Sequence, residues 1–247
     1  MVEDDLAFGT LIQTWLKKKG FDVVRATSVK AALQLLNEDS KKDLILSDLR
    51  LPDHDGLTLL NWIQKHNMPI PFIVMTSYAE VQNAVLAMKS GATDYIAKPF
   101  HTEALQAVIG INGNTSEKPS DQKLNTVIPE QFRQLTAFAD DDEEAALEII
   151  KNVKLALNEH LQRLQNILLE ANNPTTNAAD TPDIKSSITP IKQVVHKILP
   201  IATMMQMKSL DQLTALTPEN IDKLDDRQIR EHLQTIMIDL HNILQDK

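Results

Sequence analysis

Four polar positions, each directly after a short apolar run, carry the residue types needed to handle a phosphoryl group. The acidic cluster Glu3-Asp4-Asp5 follows Met1-Val2, and Asp48 follows Leu44-Ile45-Leu46-Ser47. Thr76 follows Phe72-Ile73-Val74-Met75, and Lys98-Pro99 follows Tyr95-Ile96-Ala97. A carboxylate that attacks phosphorus meets the negative charge of its substrate, and a divalent metal held by neighbouring carboxylates neutralises both. Glu3, Asp4 and Asp48 supply such a cage. Its few carboxylates suit magnesium, which keeps several of its own waters. Lys98 fits the task of balancing charge on the transferred group, and Thr76 that of binding one of its oxygens. Pro99 makes the Lys98-Pro99 bond a candidate for the cis form, which at such sites is a proline feature. Any one of these carboxylates alone is more often solvated or capping the next helix. The joint placement is what points to chemistry.

These positions gather at one place if the apolar runs are strands of an open parallel sheet, because ligands of such sheets bind beyond the carboxyl ends of the strands. The β-rich runs Asp22 to Ala26, Leu44 to Ser47, Phe72 to Met75 and Tyr95 to Ala97 alternate with helical patterns. The helices are expected near Leu6 to Lys19, Val29 to Asn37, Leu57 to His66, Glu80 to Ser90 and Thr102 to Ile109, with Gly20 and Gly91 as stops. That alternation predicts an α/β doubly wound parallel sheet over residues 1–110. Residues 111–126 turn to Gly, Asn, Ser, Lys and Asp and read as a linker. From 127 to 247 the pattern is helical only. Pro129 opens a first turn, and long patterns cover Glu143 to Ala171, with Leu147, Ile150, Leu157, Leu161, Leu164 and Leu168, then Ile188 to Met207 and Asp226 to Gln245. A shorter helix is expected near Leu210 to Leu216, and Asn172 to Ser187 reads as a polar loop. Amphipathic helices joined by loops predict a bundle.

The stretch Ser47-Asp48-Leu49-Arg50-Leu51-Pro52-Asp53-His54-Asp55-Gly56 resembles the phosphoacceptor loop of response-regulator receiver domains, with proline four and glycine eight residues after the aspartate. Met75-Thr76-Ser77 and Asp94-Tyr95-Ile96-Ala97-Lys98-Pro99-Phe100 are similar to the family's other two signatures. The resemblance covers residues 1 to about 110 and implies a flavodoxin-like, CheY-like sheet of strand order 2-1-3-4-5. It implies that Asp48 accepts the phosphoryl group, that Glu3, Asp4, Asp48 and the Arg50 backbone carbonyl hold Mg2+, and that Tyr95 turns inward when Thr76 engages the phosphoryl group. Its implied partner is a sensor histidine kinase. One departure stands out: the family's first strand is a longer apolar run, and here only Met1 and Val2 precede the acids. The N-terminal strand therefore reads as truncated, as in a trimmed chain, a displaced start or a piece of a longer protein. Asp5 is an alternative to Asp4 in the acidic pair.

In the helical half the chemistry turns on His196. At about 100° per residue, Ile191, Val194, Val195, Ile198, Ala202 and Met205 share one face, and His196 points away with Gln193, Pro200 and Thr203. An exposed imidazole there is placed to exchange a phosphoryl group with an aspartate, a reaction that needs mainly positioning and electrostatics. Val195-His196-Lys197-Ile198-Leu199 resembles the active helix of a histidine phosphotransfer (HPt) domain. Receiver and HPt in series would resemble the C-terminal part of a hybrid sensor histidine kinase, a two-component phosphorelay whose further partner is another response-regulator receiver. That family usually carries lysine three and glycine four residues after the histidine, where this chain has Leu199 and Pro200. Pro200 lacks an amide hydrogen for the His196 carbonyl and predicts a kink.

Other readings stay open. The bundle is alternatively a protein-interaction or dimerisation module without phosphotransfer, using Met204, Met205 and Met207 as an adaptable surface, although methionines near a helix end are more often core filler. A DNA-binding regulator is the weakest reading, because a formal charge of −9 without a basic cluster disfavours nucleic acid. His66, His101 and His160 have no partner pattern and read as surface or structural. The absence of cysteine removes disulfides and thiol chemistry. No run approaches the ~20 apolar residues of a membrane span, so a cytoplasmic protein without direct membrane contact is expected. None of the six glycines forms a Walker-type phosphate loop, so the chain is not expected to be an ATP-dependent kinase by itself.

Overall fold

The computed structural model describes all residues except 39–40, 78–80, 111–127, 173–183 and 246–247. The expected linker at 111–126 and most of the polar loop before Ile188 lie outside the described residues; Ile184–Ser187 form a 3₁₀ turn. The chain divides into two compact units, and the division is not a single cut: 1–127 group with Thr136–Ala146, and Ile128–Leu135 group with Leu147–Lys247.

The first unit is built on three parallel strands, β1 (Ile45–Asp48), β2 (Phe72–Ser77) and β3 (Asp94–Lys98), in the order β1-β2-β3. Their register sets Asp48 beside Met75, Thr76 beside Ala97 and Ser77 beside Lys98. All four residues of β1 are buried, as expected when helices cover both faces of a parallel sheet. Beyond β1, Val2 makes parallel bridges to both Ser47 and Ala26. The Val2 amide donates to Leu46 O at 2.8 Å, Asp48 N donates to Val2 O at 2.9 Å, and Glu3 N donates to Ala26 O at 2.9 Å. The spatial order Ala26, Val2, β1, β2, β3 is therefore the expected 2-1-3-4-5, with its first two members reduced to single bridges. The strand expected over 22–26 is not formed. A strand exists only where a neighbouring backbone pairs with it, and along that edge Met1 N donates to Val24 O at 2.8 Å, Ala26 N donates to Met1 O at 2.9 Å, and Val2 forms a single bridge to Ala26. A cavity of about 360 Å³, lined by Val23, Val24, Leu36, Leu44 and Leu59 among others, lies next to Met1.

Helices α1 (Leu6–Lys18), α2 (Val29–Glu38), α3 (Gly56–Lys65), α4 (Val81–Lys89) and α5 (Thr102–Val108) alternate with the strands. Each begins where the chain leaves the carboxyl end of a sheet position. Val29, Ala32 and Leu36 of α2 and Leu59, Leu60 and Ile63 of α3 pack with Val2, Ile45, Phe72 and Val74 into one core. Each valine, leucine, isoleucine or phenylalanine side chain among them contributes about 1.5–3 kcal/mol when fully buried. Gly20 and Gly91 end α1 and α4 at φ of 88° and 93°, a left-handed turn that side chains resist.

The second unit is helical throughout its described residues. In chain order a turn at Glu130–Phe132 and α6 (Arg133–Thr136) lead, through a 3₁₀ turn at Ala137–Ala139 that groups with the first unit, to α7 (Glu143–Asn172), which belongs to the second unit from Leu147 on. Then come α8 (Ile188–Met204), α9 (Leu210–Ala215) and α10 (Asp226–Gln245). Pro129 stands just before the first turn, at φ −55° and ψ 138°, and not inside it. Ile149, Val153, Leu157, Leu161 and Leu164 of α7 are buried, as are Ile191, Val195 and Ile198 of α8 and Ile229, Leu233 and Ile236 of α10. Leu147, expected in that stripe, is exposed, and Ala146 takes the inward position instead. No described helix is long and apolar enough to cross a membrane.

Candidate functional site

The loop between Val2 and α1 is shaped by three different uses of its acids. Glu3 is fully buried and turns inward, where Oε1 accepts the Asp5 amide at 3.1 Å. Asp5 accepts the Phe8 amide at 2.8 Å and so caps α1, satisfying one of the donors that every helix start leaves unpaired. Its carboxylate is thereby committed to α1, and Asp4 rather than Asp5 joins the pocket. Glu3, Asp4 and Asp48 each place one carboxylate oxygen within 4.8 Å of the others, a spacing suited to oxygen ligands of one hard cation.

Lys98, at the end of β3, enters the same pocket. Its Nζ donates to Asp48 Oδ2 at 2.7 Å and to Glu3 Oε2 at 2.5 Å. Burial alone would push the ammonium toward its neutral form, but the Asp48 and Glu3 carboxylates overcome that and hold its pKa well above the usual lysine range. The Nζ also lies 4.7 Å from the centre of the Phe8 ring, which meets Phe100 edge-on at 5.2 Å between centroids. The pocket thus gathers three carboxylates beside the Lys98 ammonium, a donor set that suits a divalent cation.

Asp48 is only 2% exposed, and its second oxygen, Oδ1, accepts the Arg50 amide at 3.1 Å. Gly56, eight residues on, donates its amide to Leu49 O at 2.8 Å and folds the intervening loop back onto the end of β1. Thr76 is buried at the end of β2, one strand over from Asp48. Tyr95 lies on β3 at 41% exposure, turned to the surface. The Lys98-Pro99 bond is cis.

Three contributors had no signal in the spacing of motifs. Arg25 donates from Nε to Glu3 O at 3.0 Å and from a terminal nitrogen to Asp5 O at 2.6 Å, tying the acidic loop to the chain entering α2. Asp53 accepts the amides of Val29 at 2.9 Å and Lys30 at 2.8 Å, capping α2 from within the loop that follows Asp48. Phe8 supplies the ring beneath Lys98. Phe8 alone had a readable cue, as an apolar residue in the first turn of the helix after the acids.

His196 lies on α8 and belongs to the other unit. It is half-buried where the helical wheel predicted exposure, because the buried arc of α8 takes in Ile201 and Met204 as well as the expected face. Lys197 beside it is also half-buried, and Lys192 pairs with Asp222 at 3.1 Å. The α-helix runs on through Pro200 to Met204. Met204, Met205 and Met207 are buried and act as core filler, not as a surface. His160 is buried on α7, while His66 and His101 are exposed.

Residues 1–110 match the family model described as the response regulator receiver domain. Over 109 residues the chain is 38% identical to the transcriptional regulatory protein ZraR of Escherichia coli (strain K12), covering 44% of this chain and 24% of that protein. It is 35% identical to the regulatory protein AtoC of the same strain, covering 44% and 23%. The match to the response regulator protein FleR of Pseudomonas aeruginosa is 32% over 139 residues, covering 56% and 29%. The crystal structure of the receiver domain of NtrX from Brucella abortus shares 29% identity over 44% of this chain and 92% of that one, with a TM-score of 0.42. The chain thus spans about a quarter of the length of the curated relatives it matches. Residues 1–110 are a response regulator receiver domain of a two-component system.

Proposed function

We propose that the protein is a phosphorylation-switched response regulator in which Asp48 takes a phosphoryl group from a sensor histidine kinase and the helical unit is the output. The observation that carries this reading is the pairing of Lys98 with both Asp48 and Glu3 inside a buried acidic pocket. Glu3, Asp4, Asp48 and the Arg50 carbonyl would hold Mg2+, which supplies charge neutralisation when bound. An Asp48 oxygen forms the new P–O bond while the P–N bond of the donor phosphohistidine breaks. The electron pair stays on the imidazole nitrogen. Lys98 and Thr76 then bind phosphoryl oxygens, and Tyr95 follows Thr76 inward as the surface readout.

For the output, an acidic protein-interaction module is favoured over a nucleic-acid binder. Residues 128–247 carry 19 acidic against 12 basic side chains, the wrong balance for neutralising phosphates. The relatives named as transcriptional regulators are matched over about a quarter of their length. A second reading keeps His196 as a phosphotransfer residue, and its half-exposed place beside Lys197 on a bundle helix favours it.

The test is labelling of the intact chain by a small acyl phosphate with magnesium, beside Asp48→Ala and His196→Ala. Base-labile label that disappears only in Asp48→Ala is expected for the switch. Label persisting in Asp48→Ala with the same base lability would sink it. Acid-labile, base-stable label requiring His196, appearing when a partner receiver or kinase is added, would select the relay over the interaction module.

A further inference from the structure

The compact unit around the sheet does not consist of the receiver alone. It includes Thr136–Ala146, the stretch that ends in the first turn of α7. Within it Phe138 and Ala139 are buried, and the 3₁₀ turn at Ala137–Ala139 packs against α1. Three acids follow, Asp140, Asp141 and Asp142, the first two held at φ of 52° and 62°. Consecutive left-handed residues are uncommon outside glycine and are kept where the surroundings enforce them.

Opposite this turn stands the C-terminal end of α1, with Lys17, Lys18 and Lys19 in sequence. Lys18 pairs with Asp142, and Lys19 Nζ meets Asp140 Oδ2 at 2.9 Å. Asp142 has a second task, since its Oδ1 accepts the Ala145 amide at 2.9 Å in the first turn of α7. One carboxylate therefore caps the start of α7 and joins it to α1. The charges also agree with both helix dipoles, acids at the start of α7 and lysines at the end of α1.

The other end of α1 is the acidic pocket. Asp5 caps α1, Arg25 ties the Glu3 and Asp5 carbonyls, and Phe8 in the first turn lies under Lys98. We propose that Asp140 and Asp142 close an electrostatic latch on Lys18 and Lys19, and that α1 links this latch to occupancy of the Glu3-Asp4-Asp48 pocket. The latch surface on α1 takes an acidic helix start, and its occupant is the chain's own segment 137–146. The linkage rests on the switch reading above; the latch does not. Linkage is reciprocal, so a cation in the pocket must change the latch by the factor by which the latch changes cation affinity.

The experiment is amide hydrogen exchange over 137–146 in the full chain, unaltered and as Lys18→Glu/Lys19→Glu, Asp140→Lys/Asp142→Lys and the fourfold charge swap. Titration calorimetry measures Mg2+ binding in the same samples, because Trp15 lies under Lys19 Nζ at 5.7 Å and its emission would respond to the Lys19 reversal itself. Two exposed ion pairs are each modest, so either reversal should raise exchange about three- to tenfold, with the swap returning it to near the original. Salt should reproduce the reversal, because exposed pairs are screened at an ionic strength of about 1 M. Exchange in the unaltered chain that is insensitive to reversal, or a swap that fails to restore protection, overturns the latch. Both reversals should shift the Mg2+ dissociation constant by the same factor, and equal affinities in all four chains overturn the linkage. An unaltered chain that binds no Mg2+ removes the pocket reading and the linkage together, and the exchange comparison then still decides the latch.

Discussion

Gly56 stands against the backbone of Asp48 so closely that a Cβ at position 56 would lie 2.3 Å from the Asp48 carbonyl oxygen and 3.2 Å from Leu49 Cα. Both obstacles are backbone, and no side chain can swing aside. Gly56→Ala therefore moves either the start of α3 or the end of β1. The expected cost is about 1–3 kcal/mol in a urea melt, typical of overpacking, together with slower acyl-phosphate labelling. Labelling and stability both equal to the unaltered chain would show that the loop yields without disturbing Asp48.

Lys98→Met should separate two properties that usually fall together. Removing the ammonium takes away a donor to the transferred group, and losing one such contact commonly costs about 100-fold in rate. It also removes the ammonium that Glu3 and Asp48 share, so Mg2+ should bind more tightly than before. Titration calorimetry measures the second effect. Weaker Mg2+ binding in Lys98→Met would mean that Lys98 organises the cage as well as balancing it.

Asp53 gives a pH signature. Burial acts to raise its carboxyl pKa, but the amides of Lys30, Val29 and His54 prevail and hold it at about 2, below its ordinary 3.8. A depressed folded-state pKa means that the capping contribution is complete above the ordinary value and is lost as pH falls toward about 2. Asp53→Ala should cost about 1 kcal/mol at neutral pH, the usual worth of a helix cap. Its deficit should shrink between the two pKa values, as read from urea midpoints across that range. A deficit independent of pH there would assign the loss to packing.

Arg25 holds two carbonyls of the acidic loop with one guanidinium. Arg25→Lys keeps the charge but cannot span both oxygens with one planar fork. Mg2+ affinity should fall about threefold to tenfold in Arg25→Lys, the scale of one or two partly exposed charge-assisted hydrogen bonds. Equal affinity would leave Arg25 as a tie for α2 alone.

Much of this was legible because local rules and global fold agree. The helices at Leu6–Lys18, Val29–Glu38, Glu143–Asn172 and Asp226–Gln245 start and stop within a residue or two of where apolar period, acids and glycine place them. Asp48 and Lys98 close their strands and Thr76 is the last residue but one of β2, so strand direction alone carries them to one edge of the sheet. A strand at 22–26 failed because pairing depends on a neighbour and not on composition.

By itself, the sequence determined the alternating first unit, the helical second one and the residue types at the pocket, since hydrophobic period and strand-end position are local properties. The tertiary structure decided what depends on distance through space. It separated Asp4 from Asp5 by committing one to α1, set Lys98 between two carboxylates and brought Arg25 and Asp53 to loops far from them in the chain. It also half-covered His196 with a buried arc wider than one helix face and placed Asp140 and Asp142 on the lysines of α1. No spacing rule contains these, because an ion pair between residues more than a hundred positions apart exists only once the backbone between them has folded.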